Sequence, residues 1–215
     1  MDKNEQSLLF QLADTLDISL RKAVAQARRD RAGDRFYAFI LYTSPLLEYV
    51  ALSFNTEEAL AQIAKTGETD DYFRWSPEEW GYNRDIQEFF KPVNEILVSL
   101  LQIQGYSDAS YQCRWDTFMH VLKRLDGEGI FADTHNRDSV LVNILWGDQD
   151  AVIHVRSARE LNPMSSYLRY ARYQLPILNY GVQEIEGSQS MYAKEALARV
   201  RHCIEQVEAD LRNCS

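Results

Sequence analysis

The sequence predicts a single α+β domain: a central antiparallel or mixed sheet flanked by helices, with long helices at its N- and C-terminal ends. Three observations carry this. Apolar residues recur at steps of three and four from about Asn4 to Arg31, and again from Met191 to Asn213. The segment Arg35 to Thr43 is apolar on both faces and rich in β-forming residues, as a strand covered on both sides must be. Helical and strand patterns come in blocks rather than in strict alternation, which argues against a doubly wound parallel sheet.

In the first helix, Leu8, Leu9, Leu12, Leu16, Leu20, Ala23, Val24 and Ala27 form the apolar stripe. Arg28, Arg29 and Arg31 fall in its last turn, where cations complement the carbonyl end of the helix dipole, and Gly33 ends it. After the strand at 35–43, Ser44-Pro45 breaks the chain, and Leu47 to Phe54 reads as the hairpin partner. Asn55, with Glu58 three positions on, is expected to cap a short helix that closes at Gly67. Ser76-Pro77-Glu78-Glu79 carries the signature of a capping box with proline at the first helical position. Helix follows to about Gln104, kinked or split at Pro92.

A further amphipathic helix is expected from about Gln112 to Leu125, stopped by Asp126-Gly127-Glu128-Gly129. Ser139 to Trp146 reads as a strand, with Val140, Val142 and Ile144 on one face and Leu141 and Leu145 on the other. Gly147 to Asp150 is a turn, Ala151 to Val155 a short strand, and Ser157 the cap of a brief helix ending before Pro163. From Met164 to Ser190 the pattern is weak. No repeat, low-complexity tract or linker interrupts residues 1–215, so one domain is the simplest count.

Composition narrows the function. Hydrophobic residues at 46% allow a full core, and 32 Asp and Glu against 23 Lys and Arg leave a formal charge of −9. A general nucleic-acid binder needs the opposite balance. No apolar run is long enough to span a bilayer, and the polar start of the chain carries no secretory signal, so the cytoplasm is the expected compartment. Cys113, Cys203 and Cys214 are odd in number and widely spaced, implying neither a disulfide framework nor a zinc knuckle.

The sequence completes none of the familiar motifs of catalysis. No GxSxG elbow is present. Cys113 and His120 lie about 10 Å apart on one helix face, too far for an ion pair. No GxxxxGK phosphate loop exists, and Glu57-Glu58 and Glu78-Glu79 sit at helix starts, where the dipole explains them. Asp133, His135 and Asp138 on one side of the strand at 139–146, with Asp148 and Asp150 on the other, are the best polar set. They match neither the HExxH spacing nor the calcium-loop pattern, and no cofactor or metal is implied.

The densest feature is aromatic. Tyr72, Arg74, Trp75, Glu78, Trp80 and Tyr82 crowd into one short stretch, and Tyr, Trp and Arg concentrate at protein-binding hot spots. For Trp75 and Trp80 the favoured reading is core residues pinning a strand-to-helix corner. For Tyr72, Arg74 and Tyr82 both readings stay open.

Three stretches in order carry a resemblance: FYAFILY from Phe36 to Tyr42, RWSPEEW from Arg74 to Trp80, and SARELNP from Ser157 to Pro163 after the helix that ends at Gly129-Ile130-Phe131. This order resembles the bacterial family known as domain of unknown function 4303, over about residues 4–180, with the helix at 191–213 as an extension. The family offers no catalytic residues to transfer. The resemblance implies a bacterial origin and a small cytosolic domain, similar in style to the immunity proteins that accompany secreted toxins.

The functional expectation is a non-catalytic protein-binding module, an immunity-type protein covering a basic toxin or effector, which an acidic surface would attract. The alternative is an enzyme or small-ligand binder using the polar set around the strand at 139–146. A third is a homo-oligomer held through the long terminal helices.

Overall fold

The computed structural model describes residues 3–64, 71–80, 84–132, 137–147, 151–188, 190 and 192–214. Helix α1 (Lys3–Asp30) leads to strands β1 (Phe36–Thr43) and β2 (Val50–Thr56), then α2 (Glu57–Ala64) and α3 (Asp71–Trp75). A single 3-10 turn at Pro77–Glu79 precedes α4 (Arg84–Glu88), α5 (Lys91–Gln104) and α6 (Asp108–Gly127). A second 3-10 turn, Arg137–Ser139, enters β3 (Leu141–Leu145), and α7 (Ala151–Leu161), α8 (Met164–Glu186) and α9 (Ala193–Asn213) follow.

The three strands form one mixed sheet in the order β2-β1-β3. β1 runs antiparallel to β2, from Thr43 opposite Val50 to Ala38 opposite Asn55, and parallel to β3, from Ala38 opposite Leu141 to Tyr42 opposite Leu145. The fold is therefore α+β, with the hairpin the sequence predicts and β1 at the centre of the sheet. That position explains why β1 is apolar on both faces.

Each face has its own core. On one, Phe39 and Leu41 of β1 and Val142 and Ile144 of β3 meet Leu12, Leu16 and Leu20 of α1, Phe90 before α5, and Phe118 and Leu122 of α6. On the other, Ala38, Ile40, Leu141 and Leu145 meet Val152 and Val155 of α7, Tyr167, Tyr170 and Ala171 of α8, and Cys203 and Val207 of α9. The alternation read along residues 140–145 thus assigns each side chain to its layer.

Helix ends follow local chemistry. Ser107 and Ser110 close a reciprocal capping box at the start of α6, four residues earlier than the apolar pattern suggests. At its far end Gly129, at φ 79°, lets Ile130 donate to the Leu125 carbonyl (3.0 Å) and Gly129 to Asp126 (2.8 Å), a Schellman closure.

Several local expectations are corrected. β2 begins at Val50, not Leu47, because Leu47 sits at φ 55° in a turn closed by its N–H to Ser44. The cap of α2 is Thr56, whose hydroxyl accepts from Ala59 N–H at 3.1 Å, while Asn55 stays buried in the strand. Ser76 makes no side-chain cap, and its segment forms only the 3-10 turn. Pro92 lies in the first turn of α5, so the helical break falls at Phe89-Phe90 before it.

Residues 151–155 are helix, not strand. Val152, Val155 and Ala158 bury at helical spacing, a pattern a five-residue window cannot separate from a buried strand. Ser157 consequently lies inside α7, where its hydroxyl approaches Asn143 Oδ1 at 2.6 Å rather than capping anything. The weak region 164–190 is mostly the 23-residue α8, which tolerates Pro176 on its solvent side.

A sheet this small must also satisfy its outer strands' polar backbone. On β3, Asn162 does so: its Oδ1 accepts Val142 N–H and its Nδ2 donates to Val142 O, both at 2.7 Å. Asn162→Ala leaves both groups without their partner. The expected loss is about 2 to 4 kcal/mol of unfolding free energy, measurable by urea denaturation.

His154 is buried against Trp146, ring centroids 4.5 Å apart, and burial pushes its imidazole down to about 3. An unfolded imidazole titrates near 6.5, so the unfolded chain takes up a proton that the fold refuses. The proton-linked penalty is absent above pH 6.5, and stability falls as pH drops from there toward 3. His154→Phe should flatten that decline in denaturation midpoints measured across the interval.

Candidate functional site

The aromatic corner is built around Tyr37 of β1. Trp75 meets the Tyr37 ring edge-on at 5.9 Å and Tyr170 at 5.5 Å, and Trp80 meets Tyr37 at 5.9 Å. The Trp80 indole N–H donates to the Phe73 carbonyl at 2.8 Å, so its one polar atom is satisfied. Both tryptophans are core residues, only 6% exposed.

Arg74 is also turned inward. Its guanidinium forks onto Glu57 with bonds of 2.9 and 2.8 Å and lies over the Tyr37 ring at 4.6 Å. Those bonds from Arg74 hold the Glu57 carboxyl below its usual range against the opposing effect of burial. Tyr72 is exposed, its hydroxyl 3.3 Å from Glu79, and Glu78 is exposed beside it. Tyr82 lies outside the described residues. The corner is thus a structural knot with a thin solvent face, made by Tyr72, Glu78 and Glu79.

That face opens on a larger feature. A groove of about 880 Å³ runs along the outer edge of β2, with Pro77, Glu78 and Trp80 as one wall. Gln87, Glu88, Lys91, Asn94, Glu95 and Val98 form the other. Tyr49 and Val98 add exposed apolar surface, and the rim carries three carboxylates (Glu78, Glu88, Glu95) against one ammonium (Lys91).

The groove floor is strand backbone. Side chains from α4 and α5 bond to alternate residues of β2, which marks Val50, Leu52 and Phe54 as turning their backbone groups away from β1. Asn94 occupies Val50 completely: its Oδ1 accepts the N–H at 2.7 Å and its Nδ2 donates to the carbonyl at 3.2 Å. Gln87 does half as much. Its Nε2 donates to Leu52 O at 2.9 Å, but its Oε1 is buried with no partner among the described residues. A buried acceptor left unmade costs about 1–3 kcal/mol. Among the described residues nothing bonds the Leu52 N–H, nor the outward groups of Phe54.

The other predicted polar groups do not converge. Asp138 is exposed on its 3-10 turn, where its carbonyl accepts from Ser165 and Arg169, and Asp133, His135, Asp148 and Asp150 lie outside the described residues. Among the described residues no three His, Cys, Asp or Glu side chains are placed to hold a metal ion, and no helix is long and apolar enough to cross a membrane. His120 lines a smaller cleft of about 430 Å³ between α6 and α7, where Lys123 and Glu160 pair at 3.0 Å. Cys113 is not part of that lining, and Cys203 is buried in the second core.

Sequence reasoning found Glu78 and Trp80 but missed Gln87, Asn94 and Glu95. Their helical segments read as ordinary amphipathic surface, and nothing local signals that β2 is an edge strand.

Fold and site together define a small α+β domain with a mixed three-stranded sheet, one of whose edges is only partly bonded among the described residues and lies in an acid-rimmed groove. The chain belongs to the family described as Domain of unknown function (DUF4303), whose model matches residues 16–163. Comparison with curated proteins and with solved structures found no match. The matched range holds all three strands and both walls of the groove, and stops just before α8.

Trp80→Ala is expected to cost about 3–5 kcal/mol, as for a large core aromatic, and Tyr72→Ala less than about 0.5 kcal/mol. Thermal denaturation of the two variants side by side separates the buried half of the corner from its exposed half.

Proposed function

We propose that the protein is a non-catalytic protein-binding module of the immunity type, neutralising a toxin or effector by covering a basic segment of it in the groove along β2. One observation carries the reading: a strand edge only partly bonded among the described residues lies in a groove with mixed apolar and polar walls and an acidic rim. The groove offers apolar contact area, with the exposed Tyr49 and Val98 as anchors. The rim, on a chain of formal charge −9, steers a cationic partner and speeds its association. Glu78, Glu88 and Glu95 are exposed and, among the described residues, have no cationic side chain bonded to them, so their charge is free to act on a partner.

The test is capture of the products of neighbouring genes by the tagged protein, followed by titration of whichever binds. The double variant Glu78→Lys, Glu95→Lys should weaken binding at least tenfold at low salt while leaving the denaturation midpoint unchanged. Wild-type affinity should fall as salt rises, and the variant's should not. Equal binding by the two proteins would sink the proposal.

A further inference from the structure

We infer that the partner segment docks by strand addition, as a fourth strand on β2, with Asn94 the fixed end of that edge and Gln87 a plug that the segment displaces. The inference rests on the groove being the binding site and goes further by assigning how it binds. Outer strands expose a ladder of N–H and C=O groups, and an extended peptide can complete it. Here the ladder is blocked at Val50, where Asn94 uses both of its amide groups on both backbone groups. Among the described residues it is open at Phe54 and half open at Leu52, where Gln87 holds only the carbonyl.

The two amides differ in how readily they leave. Removing Asn94 from Val50 would break two bonds and regain only water. Gln87 sits with one bond made and a buried acceptor wasted. When a partner N–H takes the Leu52 carbonyl, Gln87 swings into solvent and both ends of its amide become hydrated. The edge is therefore closed by a removable group where a partner would pair and by a fixed one where pairing must stop.

The occupant is a basic extended segment of another protein, not a second copy of this chain. Edge-to-edge pairing of two copies would bring Glu78, Glu88 and Glu95 against the same three carboxylates. In an added strand, alternate side chains face the Trp80 wall and the α4–α5 wall, and both carry glutamates at the rim. A segment alternating apolar and cationic residues sets its cationic side chains against Glu88 and Glu95 of the α4–α5 wall and its apolar ones against the wall of Pro77 and Trp80.

The probe is a capped heptapeptide of alternating lysine and valine, titrated into isotope-labelled protein and followed by amide hydrogen exchange and NMR shifts. Exchange at Leu52 and Phe54 should slow at least tenfold on binding, while Val50, already bonded to Asn94, changes little. N-methylation of every second peptide nitrogen should abolish binding in one of the two alternations and spare it in the other. Gln87→Ala should bind the peptide at least threefold more tightly, with no plug to move.

If the peptide binds in a manner sensitive to Glu78→Lys and Glu95→Lys, yet Leu52 and Phe54 exchange is unchanged and both methylated peptides bind, strand addition is wrong and the acidic groove stands. A tenfold loss on Gln87→Ala would make Gln87 a contact and overturn its role as plug. No peptide binding at millimolar concentration, or a salt-stable dimer by light scattering, overturns the groove as a site for a basic segment.

Discussion

β1 has no side that can face water. Ala38, Phe39 and Ile40 are fully buried, and the strand is bonded along both edges, to β2 and to β3. Everything else in the structure answers that constraint. A strand apolar on both faces needs a layer on each, so α1 and α4–α6 cover one and α7–α9 the other. A strand paired on both edges moves the open edges outward to β2 and β3, where they must be capped separately. Both caps begin with an asparagine bonded to one residue's N–H and C=O, Asn94 on Val50 and Asn162 on Val142. α7 is tied to β3 by a side chain as well, Asn143 donating to the His154 carbonyl. Along β2, Gln87 adds a bond to the Leu52 carbonyl. The groove follows this edge.

How much of this the sequence shows depends on the range over which each cause acts. Periodicity is local, and it places α1, β1, the hairpin, α6, β3 and α9 within a few residues. The doubly apolar FYAFILY run even locates the central strand. Failures came where tertiary contact overrules local chemistry. Thr56 rather than Asn55 caps α2, because Asn55 is committed to its strand. Residues 151–155 are helical, and the burial of Val152, Val155 and Ala158 at helical spacing is a pattern no five-residue window reveals. The tyrosine-rich α8 looked featureless since its buried positions include Ser166, Tyr167, Tyr170 and Gln174, residues that hydropathy scores as indifferent.

The candidate site was legible only in part for the same reason. The stretch from Tyr72 to Tyr82 stood out by composition, and composition reported a real feature, though mainly a structural one. Arg74 is the clearest case: the residue type is typical of an interface, but the fork onto Glu57 and the stacking over Tyr37 spend its charge inside the molecule. Edge strands are defined by what fails to pair with them. That is a property of the whole topology, and no residue of β2 could announce it.

The acidic rim can then be understood from the edge it surrounds. An open strand edge invites pairing with any extended chain, a second copy of the same protein foremost, and charged side chains are the usual protection. On the proposed reading Glu78, Glu88 and Glu95 would supply that protection, since two identical edges would repel one another. The same charges would not repel a cationic segment, so a guard against self-association would also act as a filter for partners. Gln87 fits the proposal on the scale of one hydrogen bond: it holds the Leu52 carbonyl while its own Oε1 is buried without a partner among the described residues, so a segment bringing its own donor could displace it. Selectivity by charge and access by an imperfect plug would then be two expressions of one problem, an edge closed to its own kind and open to another.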